Sequence, residues 1–186
     1  MKKLKITASE YKGLVGKLCR DIANSEWRPD YIVGITRGGL IPAVMISHYF
    51  DIPMETLKIS LRDGGGGESN LWMSEHAFGY IPTDQRPQTD STRWDPAYRK
   101  NILIVDDIND SGATLNWLIN DWQQSCLPGN PVWPTVWNNN VRFAVIVDNL
   151  ASQCQVKMDY SGIEINKQQD PVWIDFPYEL WWHAPD

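Results

Sequence analysis

Cysteine is scarce in this chain. Cys19, Cys126 and Cys154 are odd in number, widely spaced and form no Cys-x-x-Cys pair, so neither a disulfide framework nor a zinc site is indicated. His48, His76 and His183 are equally scattered. An excess of basic residues is also missing: the formal net charge is -6 and no block of Lys and Arg occurs, which argues against nucleic acid or a membrane surface as partner. No apolar run is long enough for a signal peptide or a membrane span, and a reducing, cytoplasmic setting is the resulting expectation. The Gly-Lys-Ser/Thr of a nucleotide P-loop is absent as well.

What is present fits one domain, residues 1–186, since 42% hydrophobic content is ordinary for a soluble globular protein with a core of its own. The ten Trp residues are unusual, and most are expected to pack rather than to form a ligand platform.

The most informative stretch runs from Asn101 to Thr114. The apolar residues Ile102 to Val105 lead into Asp106 and Asp107, then a short polar turn, Gly112 and a helical pattern, so a buried strand gives way to a helix at this point. Ligands of open parallel α/β sheets collect at the carboxyl edge of the strands. Gly112 lets the backbone come close, Ser111 and Thr114 offer hydroxyls, and free amides at the start of the next helix suit a monophosphate. Neighbouring carboxylates at a strand end can accept hydrogen bonds from a vicinal diol or sit in the outer shell of Mg2+. A sugar phosphate satisfies both halves of the stretch.

Val105-Asp106-Asp107-Ile108-Asn109-Asp110-Ser111-Gly112-Ala113-Thr114 resembles the phosphoribosyl diphosphate (PRPP) signature of type I phosphoribosyltransferases. The resemblance implies an α/β fold, a central mostly parallel sheet flanked by helices, with a long mobile loop and a small C-terminal base-binding hood. It implies that Asp106, Asp107, Asp110, Ser111, Gly112, Ala113 and Thr114 bind the ribose and phosphate of PRPP, with Mg2+ as cofactor near Asp106 and Asp107. The partners it implies are PRPP and a nucleobase, in a homo-oligomer, dimer or tetramer.

Taken in order, Thr7-Ala8-Ser9-Glu10 has the form of a capping box, and Tyr11, Leu14, Leu18 and Ile22 follow at helical spacing, predicting a helix from about Ser9 to Ala23. Tyr31 to Ile35 is an apolar run suited to a strand buried on both faces. It ends in Thr36-Arg37-Gly38-Gly39, ahead of a helix from Leu40 with Pro42 in its first turn. This turn is similar to the Ser-Arg-Gly-Gly version of bacterial-type xanthine and guanine phosphoribosyltransferases, where it grips the diphosphate. The resemblance implies that Thr36, Arg37, Gly38 and Gly39 do so here, that Arg37 acts in catalysis and that the Thr36–Arg37 peptide is cis.

Met54 to Ser60 alternates as a strand, and from Leu61 to about Arg99 periodicity disappears. Gly64 to Gly67 and Pro82, Pro87 and Pro96 mark this region as a mobile loop or insertion, 61–99. The resemblance makes Arg62 to about Arg93 a candidate lid that excludes water. After Gly112, Leu115, Leu118, Ile119 and Trp122 fall at core spacing. Val132 to Asn140 reads as a surface excursion, Val141 to Val147 as a strand, and Gly162 to Ile165 as a short strand.

The base end is expected in the hood, residues 148–186. Val172 to Glu179 resembles the Trp-Ile-Glu-containing segment of the xanthine-guanine enzymes, which implies base contacts from Trp173 and Ile174. Asp110 occupies the position from which 6-oxopurine enzymes take or share the imidazole proton, implying a catalytic role and a purine. Those enzymes usually place a Lys after the strand that ends here in Val147, whereas this chain has Asp148-Asn149. A carboxylate facing a purine 6-oxygen would repel it, so the expectation is a base with an amino group or other donor there, or reading by Asn149. Robust turnover of hypoxanthine alone would end the Asp148 argument. Lys157 is a weaker substitute for the missing Lys. The activity implied is transfer of a phosphoribosyl group from PRPP to a nucleobase in nucleotide salvage. A PRPP-binding regulator without transfer, or transfer to a non-purine acceptor, stays open.

Overall fold

Two faces of one parallel sheet organise the chain. The computed structural model describes residues 2–59, 61, 70–86 and 92–183. It begins with β1 (Lys2–Lys5) and α1 (Ala8–Asn24). Thr7 caps α1 reciprocally: its side chain accepts from the Glu10 amide while the Glu10 carboxylate accepts from the Thr7 amide. Tyr11, Val15, Leu18 and Ile22 form the buried stripe of this helix.

Then follow β2 (Tyr31–Thr36), α2 (Leu40–Phe50), β3 (Met54–Lys58), α3 (Leu71–Phe78), β4 (Ile102–Asn109), α4 (Ala113–Ser125), β5 (Val141–Asn149), β6 (Tyr160–Ile165) and β7 (Val172–Asp175). The five strands β3-β2-β4-β5-β6 form one sheet in that order, and every pairing is parallel. Ile102 to Val105 at its centre are buried, as expected of a strand covered on both faces. β1 and β7 form a separate two-stranded parallel ribbon.

One core lies between the sheet and α3 and α4, and includes Ile104, Leu118, Trp122 and Phe143. The other lies on the opposite face with α1, α2 and β7, and includes Leu18, Ile46, Leu103 and Ile174. This is the expected α/β architecture, a parallel sheet with helices on both sides.

Two expectations need correction. The region 61–99 is not structureless throughout, because Leu71–Phe78 forms α3, with Met73, Ala77 and Phe78 buried in the core. The Ser74 hydroxyl donates to the Trp122 carbonyl at 2.7 Å, which ties α3 to α4. The expected lid therefore contains a packed helix, and its residues 62–69 and 87–91 lie outside the described residues. The segment 132–140 is not a surface excursion either. Trp133 and Val136 are buried, the Trp133 indole donates to the Cys126 carbonyl at 3.0 Å, and Trp137 stacks on Trp133 at 5.5 Å. Burial of the Trp133 ring, with Trp137 partly buried against the same core, outweighs the local polarity of Asn138 to Asn140.

Candidate active site

β2 and β4 are neighbours in parallel register, with Gly34 opposite Val105, so the turns that follow them emerge at one edge of the sheet. The peptide between Thr36 and Arg37 is cis, as expected from the resemblance. Gly38 and Gly39 then pass directly over the end of β4. A Cβ on Gly38 would fall on the Asp107 carboxylate, and one on Gly39 would lie 2.5 Å from the Val105 carbonyl oxygen and 2.9 Å from the Asp106 Cα. Only glycine permits this approach with its neighbours left in place. Arg37 is exposed at the mouth of the turn.

Strand β4 continues past the two carboxylates to Asn109, further than the apolar run alone suggests. Asp106 is 9% exposed, and its Oδ1 accepts from the Asp107 amide at 2.9 Å. Asp107 Oδ2 accepts from the Tyr178 hydroxyl at 2.9 Å. Among the described residues, no three His, Cys, Asp or Glu side chains gather into a protein-built metal cage.

The loop from Asp110 to Gly112 leads into α4, whose first amides are at the same edge. Gly112 has φ 87°, a left-handed conformation, and a Cβ there would overlap the Cys154 backbone. The Gln153 amide donates to the Ser111 carbonyl at 3.0 Å, so the segment after β5 braces the loop from behind. Ser111 Oγ accepts from the Ala113 amide at 3.3 Å, and Thr114 is half-buried on the first turn of α4.

At the base end the structure differs in detail from the expectation. Asp148 is half-buried and its Oδ1 accepts from the Asn109 side chain at 2.8 Å. Burial pushes the Asp148 carboxyl above its ordinary value, and the Asn109 hydrogen bond partly offsets this. Asn149 is a brace: its Nδ2 donates to the Asp110 carbonyl at 2.8 Å, and its Oδ1 accepts from the amides of Lys167 at 3.0 Å and Ala151 at 3.2 Å. Ile174 is a core residue, 5% exposed, while Trp173 faces outward on the other side of β7. Lys157 is in the connection between β5 and β6, where its carbonyl accepts from Asn138. Arg86 donates to the Ile81 carbonyl and the Tyr80 hydroxyl, so its guanidinium is engaged locally.

Two residues not expected from the sequence complete the picture. Lys167, in the turn after β6, places its Nζ 2.8 Å from Asp110 Oδ1. Tyr178, from the tail after β7, reaches Asp107. Lys167 had a readable signal, because β6 is parallel to β5 and its C-terminal end must reach the same sheet edge. Tyr178 had none in local periodicity.

Comparisons agree with this geometry. Residues 6–180 match the family described as "Phosphoribosyl transferase domain". Xanthine phosphoribosyltransferase 1 of Saccharomyces cerevisiae is 25% identical over 191 residues, covering 89% of this chain and 86% of that protein. A xanthine-guanine phosphoribosyltransferase of Roseobacter denitrificans is 28% identical over 155 residues, covering 83% of this chain and 69% of that protein. A crystal structure of a purine phosphoribosyltransferase from Pyrococcus horikoshii superposes with a TM-score of 0.60 at 22% identity, covering 100% of this chain and 98% of that chain, a likeness of fold. Among the described residues no helix is long and apolar enough to cross a membrane. With its family match spanning nearly the whole sheet and both turns that meet at its edge, the chain belongs to the phosphoribosyl transferase domain family, and is a transferase of the type I fold.

Proposed function

We propose that this protein transfers the phosphoribosyl group of PRPP to a purine carrying a 6-oxygen, giving a nucleoside monophosphate and diphosphate. The observation that carries this reading is the meeting of three elements at one edge. They are the turn Thr36 to Gly39, the carboxylates Asp106 and Asp107, and the loop Asp110 to Thr114 with an acid and a cation beside it.

In this reading the loop from Ser111 to Thr114 holds the 5-phosphate with backbone amides and hydroxyls, as a helix N-terminus after a tight turn does. Asp106 and Asp107 accept from the ribose hydroxyls. Thr36, Arg37, Gly38 and Gly39 hold the diphosphate, with Arg37 facing the charge that grows as it departs. The adjacent carboxylates Asp106 and Asp107 at the end of β4 would hold Mg2+, an ion that takes most of its ligand oxygens from water and substrate and needs only one or two carboxylates from a protein. When bound, the ion would neutralise diphosphate charge.

Asp110 and Lys167 supply an acceptor and a donor side by side. A 6-oxopurine protonated at N7 presents the complementary pair, since N7 and O6 lie on one edge of the ring. Its entry exchanges the ion pair for two charge-assisted hydrogen bonds. As the C1'–oxygen bond to diphosphate breaks with its electron pair, the purine N9 forms the new bond to C1', and the N7 proton passes to Asp110. A 6-amino group would set donor against donor at Lys167 and be disfavoured.

The test is diphosphate release with PRPP and Mg2+ across a panel of hypoxanthine, guanine, xanthine and adenine. Turnover of one or more 6-oxopurines with adenine far behind is expected. Tight PRPP binding with no base consumed would instead support the regulator, and preference for adenine would overturn the pairing with Lys167.

A further inference from the structure

Tyr178 lies far along the chain from the stretch that carries the carboxylates, yet its hydroxyl is 2.9 Å from Asp107 Oδ2. The route there is well anchored. β7 pairs with β1, the Ile6 amide donates to the Asp175 carbonyl at 2.9 Å, and Phe176 is buried. The Tyr178 ring is stacked on Phe176 with centroids 5.4 Å apart and planes 6° from parallel, and it meets the edge of Tyr11 at 5.6 Å. A ring held on two sides has little freedom to move its hydroxyl, so its hydrogen bond is directed by packing rather than by the tail's polar groups.

Asp107 is confined from the other side by Gly38, where a Cβ would take the place its carboxylate now holds. A carboxylate at a strand end can rotate, and an orientation suited to ribose or metal has to be imposed by its neighbours. An ordinary phenol titrates at about pH 10, well above neutrality. Tyr178 therefore stays protonated and donates.

We infer that Tyr178 is a positioning residue for PRPP, fixing the Asp107 carboxylate against the Gly38 turn through one oxygen so that the carboxylate keeps a set orientation toward ribose or its metal. This rests on the proposed role of Asp107. It makes the C-terminal tail, through a single hydroxyl, part of the PRPP subsite rather than of the base subsite alone. Tyr11 and Phe176 contribute by holding the ring.

Tyr178→Phe keeps the ring and deletes only the hydroxyl, so its melting temperature should stay near that of the parent. A hydrogen bond to a charged group corresponds to roughly a tenfold effect, and the KM for PRPP should rise by about that factor. The KM for the base and kcat should change less than about twofold, as for a group that acts on one substrate's ground-state binding. In an Asp107→Ala background, which leaves no acceptor for the hydroxyl, Tyr178→Phe should have little further effect on PRPP binding measured by calorimetry, because the coupling runs through Asp107. An unchanged KM for PRPP overturns the inference, as does an effect of equal size in the Asp107→Ala background. A parallel rise in both KM values with a fall in melting temperature also overturns it, in favour of a structural role. If Asp107→Ala itself leaves PRPP binding intact, the site reading fails, and Tyr178 falls with it.

Discussion

Lys167 Nζ and Asp110 Oδ1 stand 2.8 Å apart, although one follows β6 and the other follows β4. Two bonds hold the pair in place from behind. Asn149 accepts from the Lys167 amide and donates to the Asp110 carbonyl, so one buried amide sets the spacing of both backbones. A single carboxamide thus aligns a donor with an acceptor at the edge where the base is proposed to bind.

Lys167→Met removes the charge and keeps most of the side-chain volume. If Lys167 donates to a 6-oxygen, kcat/KM for 6-oxopurines should fall by about tenfold or more, as for a lost hydrogen bond to a charged group. The KM for PRPP should hold within about twofold, and discrimination against adenine should shrink. Steady-state assays with each base check this. A uniform loss over all bases would assign Lys167 to loop support instead.

Gly38 and Gly39 are adjacent, but their obstacles differ in kind. A Cβ at 38 meets the Asp107 carboxylate, whereas a Cβ at 39 meets the fixed backbone of β2 and β4. Gly38→Ala should leave the melting temperature nearly unchanged and weaken PRPP binding by tenfold or more, since a side chain can swing away at the expense of its role. Gly39→Ala should destabilise the fold by about 1–3 kcal/mol, as overpacking against rigid atoms does. Thermal melts and PRPP titrations of the two variants separate these outcomes.

The parts of this fold that could be read in the chain are those in which local chemistry and position agree. The capping box at Thr7 and Glu10, the apolar run from Tyr31 and the stripe Leu115, Leu118, Ile119 and Trp122 each declare their own element. So did the meeting of the two turns, because residues at the ends of parallel strands share an edge. What stayed hidden depended on distant partners. Short α3, set between a glycine run and several prolines, is helical because Met73, Ala77 and Phe78 fill a core that the rest of the chain builds. β1 is exposed along its length and is a strand only through β7. Tyr178 finds Asp107 through the same ribbon.

His76 reports on the fold rather than on catalysis. Burial, and then the charge of Lys100, hold its imidazole below the ordinary value, and its Nδ1 is 3.2 Å from the Tyr31 hydroxyl. The unfolded chain then takes up this proton first as pH falls. The contribution of His76 to stability is therefore full above about pH 6.5 and is lost as the solution becomes more acidic. In His76→Gln that part of the pH dependence should vanish, so melting temperatures measured from pH 7.5 to 5 should fall less steeply than in the parent. Equal slopes would show that His76 is not held neutral by its surroundings.

Asp148 gives the opposite sign and bears on the choice of base. Its carboxyl is raised, chiefly by burial, so the folded protein holds this proton more tightly than the unfolded chain does. Ionised Asp148 thus lowers stability at neutral pH, and that cost disappears as pH falls below the ordinary carboxylate value. Asp148→Asn retains an oxygen to accept from Asn109, so the melting temperature should rise at pH 7 and the difference should close toward pH 4. Because this carboxylate is already joined to Asn109 and Lys167 stands at Asp110, the variant should keep the parent's preference among purines. A switch from 6-amino to 6-oxo bases in Asp148→Asn would return the reading of that edge to Asp148.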